Sequence, residues 1–202
     1  RSKSYSNIGE AAVVLELLEH LLFNYELNKE QIGVISPYHE QHELITKAID
    51  CKSDLRGIKC QTVDYFQGKE KEVIIISLVR SNKDKTVGFL DDSRRMNVAV
   101  TRAKRFVAIV CDTSTICKPE LPFMLKLIDH FKNQGQVLTP DDFKGVGYQM
   151  RFLHSVLNGE IEPAMERKNQ AKVIKNMDAI NQVLAQEEDH QNSKDLEEEE
   201  KV

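Results

Sequence analysis

At 202 residues the chain suits one domain plus an appendage, and 41% apolar against 30% charged residues fits a soluble, core-forming protein. No apolar run approaches the ~18–20 residues of a membrane-spanning helix, and no charged-then-apolar leader opens the chain, so neither membrane insertion nor secretion is expected. The net charge of −4 is uneven: residues 160–202 hold 12 acids and 6 bases, whereas residues 1–159 hold 20 acids and 22 bases. The front part is therefore mildly basic and compatible with a nucleic-acid partner, despite the acidic overall balance. Residue 1 is Arg rather than Met, which leaves the natural start open.

In chain order, Asn7-Ile-Gly-Glu10 has the spacing of a capping box. Asn7 is expected to accept from a free amide while the Glu10 side chain reaches back. Val14, Leu17, Leu18, Leu21 and Leu22 follow at helical spacing. Ile32–Ser36 reads as a short apolar strand stopped by Pro37, which cannot donate to a ladder. His39–Ile49 reads as a helix with Leu44, Ile45, Ala48 and Ile49 on one face. His39 and His42, three apart, have no evident Cys or carboxylate partner and are taken as surface histidines, so no metal site is expected.

Short strands are predicted at Ile58–Gln61 and Glu72–Val79, a helix at Asp91–Arg102, a strand at Phe106–Cys111, and a helix whose start is flanked by Pro119 and Pro122 and which continues through Phe131. Thr139-Pro-Asp-Asp reads as a turn or helix start, and Tyr148–Leu157 as a short helix. Strands that are apolar throughout, separated by helices, indicate an α/β fold with a parallel sheet covered on both faces. Residues 160–202 carry few apolar groups and read as an acidic tail, loosely helical to disordered. Cys51, Cys60, Cys111 and Cys117 show neither a CxxC pair nor zinc spacing, and are expected to be reduced, in or near the core of a cytoplasmic or nuclear protein.

Polar clusters fall where such a sheet gathers ligands, beyond the carboxyl ends of its strands: Ser36–Gln41, Arg80–Asn82 and Cys111-Asp112. Two others, Thr62–Glu72 and Asn97–Arg105, lead into strands. Any one of them reads equally well as a simple turn. Taken in order, SPYHEQ (Ser36–Gln41), TVDYFQGKEKEVIIISLVRSN (Thr62–Asn82), VGFL (Val87–Leu90) and RRMNVAVTRAK (Arg94–Lys104) resemble the second RecA-like domain of superfamily 1B helicases of the up-frameshift and senataxin type. SYSNIGEA (Ser4–Ala11) fits the same group.

The resemblance implies a RecA-like (P-loop NTPase-type) domain over residues 1–138, a short helical extension over 139–159 and the acidic tail beyond. It also implies ATP with Mg2+ as cofactor, lying in a cleft between this domain and a first RecA-like domain of the same polypeptide. Glu70 would accept from a nucleotide hydroxyl, that of the ribose. Gly68 would let backbone approach the ligand, and Gln67 would link the cleft to the nucleic-acid track. Arg102 would stabilise charge on the γ-phosphate as an arginine finger, whereas Arg94 and Arg95 read equally well as surface ion pairs.

Single-stranded DNA or RNA would cross Ser36, Thr62 and Thr101 by their hydroxyls, Pro37 and Tyr38 by flat apolar surface, and Arg80 and Asn82 by phosphate contact. Tyr38 reads equally well as core packing. The sequence has no GxxxxGK[ST] phosphate loop, no DExx tetrad and no Gln-Tyr-Arg-Met-His segment. The family carries these upstream, including the metal ligands. The chain thus reads as the carboxyl-terminal half of an ATP-dependent, 5′-to-3′ helicase, monomeric and inactive alone. The alternative is a stand-alone, non-catalytic RecA-like module that binds nucleic acid or protein.

Overall fold

The computed structural model describes residues 4–25, 27–84 and 87–161, all within one compact unit, residues 1–162. The acidic tail expected from residue 160 lies, from residue 162 on, outside the described residues. The elements are α1 (Ile8–Asn24), β1 (Ile32–Ile35), α2 (His39–Cys51), β2 (Lys59–Gln61), β3 (Lys71–Ser77), α3 (Ser93–Val100), β4 (Ala103–Val110), α4 (Thr113–Ile116), α5 (Pro122–Gln134) and α6 (Val146–Leu157). The strands form one sheet in the order β2-β1-β3-β4, every pair parallel. No described helix is long and apolar enough to cross a membrane.

Alternation along the strands sends successive residues to opposite faces. Ile32, Val34, Val73 and Ile75 meet α1, α2 and α6 in one core; Ile35, Ile74, Ile76 and Leu78 meet Phe66, Met96, Ile116 and Met124 in the other. Both faces of β1 and β3 are buried, which is why VIIIS has no polar alternation. The strand at the edge differs from expectation. β4 starts at Ala103 rather than Phe106, runs through the exposed Lys104 and Arg105, and leaves Phe106 45% exposed, because only one neighbour covers it. The helix expected over Asp91–Arg102 is shorter, Ser93–Val100. It is capped by Asp92, whose carboxylate accepts from the Arg94 and Arg95 N–H groups, after a 3₁₀ turn at Gly88–Asp91.

Parallel neighbours are usually joined by a crossover of a dozen residues or more that includes a helix. From β2 to β3 the chain passes over β1 with only residues 62–70, containing one 3₁₀ turn at Asp64–Phe66. Gly33 makes room for this. A Cβ there would stand 2.8 Å from Phe66 Cε1 and 3.0 Å from Ile74 Cδ1, so Phe66, fully buried, rests directly on the bare backbone of β1. The short crossover therefore lies flat on the sheet and carries the sequence from its carboxyl edge to its amino edge.

Helix α6 packs on α1 and α2 and places Phe152, Leu153 and Val156 in the first core. Lys52, only 5% exposed, pairs with Glu19 at 2.8 Å and sits over the Phe152 and Tyr148 rings. The buried Gln149 donates to Glu19 at 2.8 Å and Lys47 donates to the Val156 carbonyl at 2.9 Å. All four cysteines are free thiols, Cys51 and Cys60 buried, Cys111 and Cys117 half-buried.

Candidate functional site

The in-register parallel sheet sorts the residues singled out above onto two edges. Ile35 pairs with both Gln61 and Ile76, so Ser36, Thr62 and Ser77 follow at one level on the carboxyl edge, with Arg80 and Asn82 just beyond. Lys71 pairs with Ala103, so Glu70 and Arg102 precede partners at the amino edge. The seven residues of β3 separate the edges by roughly 23 Å. Thr101, grouped with Ser36 and Thr62 on sequence grounds, stands beside Arg102 at the amino edge.

At that edge the Lys71 N–H donates to the Arg102 carbonyl at 3.0 Å, stapling the two approaches together. Glu70 is exposed. Arg102 is half-buried; its Nε donates to the Val98 carbonyl at 3.0 Å and its Nη2 to Thr101 Oγ1 at 3.2 Å, while the Thr101 hydroxyl reaches the Asn97 and Val98 carbonyls. Among the described residues no carboxylate lies within ion-pair distance of this guanidinium. Neighbouring cations do have acid partners: Arg95 meets Asp64 and Asp92, and Arg105 and Lys104 meet Glu72. Gln67 and Gly68 are exposed on the crossover. Gly68 has φ of 74° with nothing within 4 Å of where a Cβ would stand, so backbone conformation rather than crowding calls for glycine there.

At the carboxyl edge Pro37 and Thr62 are half-buried. Ser36 is fully buried and its Oγ accepts from the Tyr38 N–H, so its hydroxyl is directed inward. Tyr38 is 7% exposed and donates its hydroxyl to the Val87 carbonyl at 3.1 Å, a packed position that ties VGFL to SPYHEQ. His39 and His42 stack at 5.7 Å between ring centres.

Beneath this edge lies a polar network that the sequence pattern did not disclose. Asn7 caps α1 as expected, accepting from the Glu10 N–H at 3.1 Å. The Glu10 side chain, however, does not return to the Asn7 N–H, which donates instead to Gln41 Oε1 at 2.7 Å. Glu10 Oε2 turns inward and accepts from Ser77 Oγ at 2.7 Å and from the Val79 N–H at 2.8 Å. Gln41 Nε2 donates to Ser77 Oγ and the Asn7 carbonyl, and Asn7 Nδ2 donates to the Val79 carbonyl. The capping-box spacing is present, but long-range partners outcompete the local one. Burial pushes the Glu10 carboxyl up from 4.5 to about 7, against the opposing pull of the Val79 and Ser77 hydrogen bonds.

The network holds Val79 at φ of 71°, the sole non-glycine left-handed residue among those described. A β-branched residue disfavours that conformation, by ~1–3 kcal/mol at such sites. The strand expected to run to Val79 consequently ends at Ser77. Asp112, the N-cap of α4, supports the same turn by accepting from the Ser81 hydroxyl at 2.8 Å. Burial alone would raise its pKa, but the Ser114, Ser81 and Thr115 hydroxyls and the Ser114 N–H lower it to about 2.

Comparison with known proteins agrees with the motifs. A family model described as an AAA domain matches residues 1–114. The DNA-binding protein SMUBP-2 of Mesocricetus auratus is 39% identical over 142 residues, 70% of this chain and 14% of that protein. The DNA polymerase alpha-associated DNA helicase A of Saccharomyces cerevisiae is 48% identical over 104 residues, 52% of this chain and 15% of that protein. The Regulator of nonsense transcripts 1 homolog of Drosophila melanogaster is 39% identical over 123 residues, 58% of this chain and 10% of that protein. The chain thus spans only 10–15% of the length of these relatives.

Proposed function

The chain belongs to the AAA domain family as a superfamily 1B helicase domain of the SMUBP-2 type, and from that premise we propose that it is the carboxyl-terminal motor half of an ATP-dependent 5′-to-3′ DNA or RNA helicase. One observation carries the reading: Arg102, a guanidinium without an acid partner among the described residues, is stapled through its own carbonyl beside the exposed Glu70. A structural arginine at a sheet edge ordinarily pairs with a carboxylate, as Arg105 does with Glu72. One that bonds only its own helix end is available to an anion arriving from outside.

The donor set fits ATP. Glu70 accepts from a ribose hydroxyl, the Gly68 backbone approaches the nucleotide, and Arg102 exchanges its bonds to Val98 and Thr101 for the γ-phosphate oxygens. ATP supplies the transferable phosphoryl group, and the Mg2+ ligands are assigned to a first RecA-like domain of the same polypeptide. A single strand crosses the opposite edge over Pro37, Thr62, Arg80 and Asn82, with Ser36 and Tyr38 supporting it from below. Gln67, on the crossover between the edges, couples the two. The domain acts within a monomeric enzyme of the nucleus or cytoplasm.

In a polypeptide that joins this chain to a phosphate-loop domain, Arg102→Ala is expected to reduce hydrolysis on the order of 10³-fold or more, while nucleotide affinity stays within a few-fold. Equal losses of binding and turnover would give Arg102 a structural role and remove the finger.

A further inference from the structure

A second feature sits on the carboxyl edge, where Arg80 and Asn82 of the proposed track are joined by Tyr5, Ser6, Ser81 and Asp84, which the function above does not use. A cavity of about 200 Å³ opens between Tyr5 and the turn after β3, lined by Tyr5, Ser6, Arg80, Ser81, Asn82 and Asp84. We propose that this cavity is a subsite for the base and sugar of one nucleotide of a single strand, with Tyr5 as its aromatic contact. The inference rests on the helicase reading and extends the proposed track to the segment before α1.

The ring is held in place. Ser4 Oγ accepts from the Glu40 N–H at 2.9 Å, and Asn7 is bound through its N–H, carbonyl and side chain to Gln41 and Val79, so the residues on either side of Tyr5 are tied to the start of α2 and to the turn after β3. The Arg80 guanidinium lies 4.3 Å from the Tyr5 ring centre, and Tyr38 meets the ring edge-on at 5.8 Å. Tyr5 remains 40% exposed. A tyrosine that needed only burial would sit as Tyr38 does. Here an aromatic ring and a guanidinium are layered at the surface, the pair of flat groups on which unpaired bases stack.

The opposite wall is equally determined. Glu10 fixes the Val79 N–H, Asn7 its carbonyl, Asp112 the Ser81 hydroxyl at 2.8 Å, and Thr115 Oγ1 accepts from the Asn82 N–H at 3.1 Å. Four groups from two other segments, the starts of α1 and α4, thus hold a turn that includes a strained valine, and strain of this kind collects where a ligand is received. Asp84 settles which part of a nucleotide fits. A carboxylate in the lining repels a phosphate but accepts from a base N–H, such as the thymine ring N3–H, or from a sugar hydroxyl where one is present, so the phosphates run outside the cavity.

The test uses the 202-residue chain, a labelled oligothymidylate at low salt, and an oligomer of abasic sugar-phosphate units. Tyr5→Leu is expected to weaken oligothymidylate binding about tenfold, within the range reported for loss of one stacked base. It should leave the abasic oligomer's affinity unchanged, and Tyr5→Phe should stay within about twofold of the parent chain. Photo-crosslinking of the unsubstituted chain to a 5-iodouracil oligonucleotide avoids any folding defect and is expected to mark Tyr5. Unchanged oligothymidylate affinity in Tyr5→Leu, with Arg80→Ala or Thr62→Val still weakening it, would overturn the subsite and leave the helicase reading standing. So would crosslinks confined to other segments, or an equal loss on both oligomers. No binding of either oligomer by the parent chain would remove the strand track, and this inference with it.

Discussion

At Glu10, burial and hydrogen bonding pull in opposite directions, and burial prevails. An acid whose folded pKa lies above its unfolded one favours the protonated form. Its contribution to stability is complete below about 4.5 and is lost as pH rises through about 7. Asp112, Cys111 and the Arg80 turn face the same region, but only Glu10 is removed by Glu10→Gln. The stability of Glu10→Gln minus that of the parent is therefore expected to grow between pH 4.5 and 7, by up to about 3 kcal/mol, and then level off. Thermal melts of both chains across that range check it; a flat difference would mean that Glu10 titrates normally. Residues of this kind are hard to read from sequence. Asn7 and Glu10 carry a clear local pattern, and the Asn7 half formed. The Glu10 half was decided by Ser77 and Val79, nearly seventy positions away, for which no local spacing exists. Tyr5 was visible only as part of SYSNIGEA, without a role.

Among the elements, the strands were the most legible, since a run such as Val73–Ile76 is apolar only because both its faces are covered. Their ends were less so. β3 stops two residues early because Val79 is drawn into the left-handed turn, and β4 begins three early because an edge strand tolerates Lys104 and Arg105 facing water. The crossover from β2 to β3 was legible as a motif but not as a path: its dependence on Gly33 needs three-dimensional contact with Phe66. Gly33→Ala should force Phe66 off β1 and cost about 1–3 kcal/mol through overpacking, a fall in Tm of roughly 2–10 °C for a domain of this size. Because the same nine residues carry Gln67, Gly68 and Glu70, the substitution should weaken nucleotide binding more than it weakens single-strand binding at Arg80. Equal effects on both would mean that the crossover does not position the amino edge separately.

At the scale of the molecule, α6 closes the first core. Phe152, Leu153 and Val156 are each no more than 4% exposed, and burying three such side chains is worth about 5–9 kcal/mol, against a typical total stability of about 5–15 kcal/mol. A chain ending at residue 138 is accordingly expected to lose its cooperative thermal transition by circular dichroism. A sharp transition near the parent Tm would show that α6 is dispensable.

The two edges of the sheet bear on activity in the same physical way. In the proposed reading Glu70 and Arg102 would form one wall of a cleft and meet a ribose hydroxyl and a γ-phosphate, but the sequence contains no phosphate loop to cradle the remaining phosphates and no acidic tetrad for the metal. Transition-state charge is stabilised only when cation, metal and amide donors converge on it together, and one arginine at a water-exposed edge acts against a high dielectric. With ATP and Mg2+ supplied, the purified chain is therefore expected to turn over at the background rate, several orders of magnitude below the ~1–100 s⁻¹ of typical phosphoryl-transfer enzymes. Adding a phosphate-loop domain on the same polypeptide should restore hydrolysis, and Arg102→Ala should abolish the restored rate. Turnover by the chain alone that survives Arg102→Ala would place the chemistry elsewhere and end the half-cleft account.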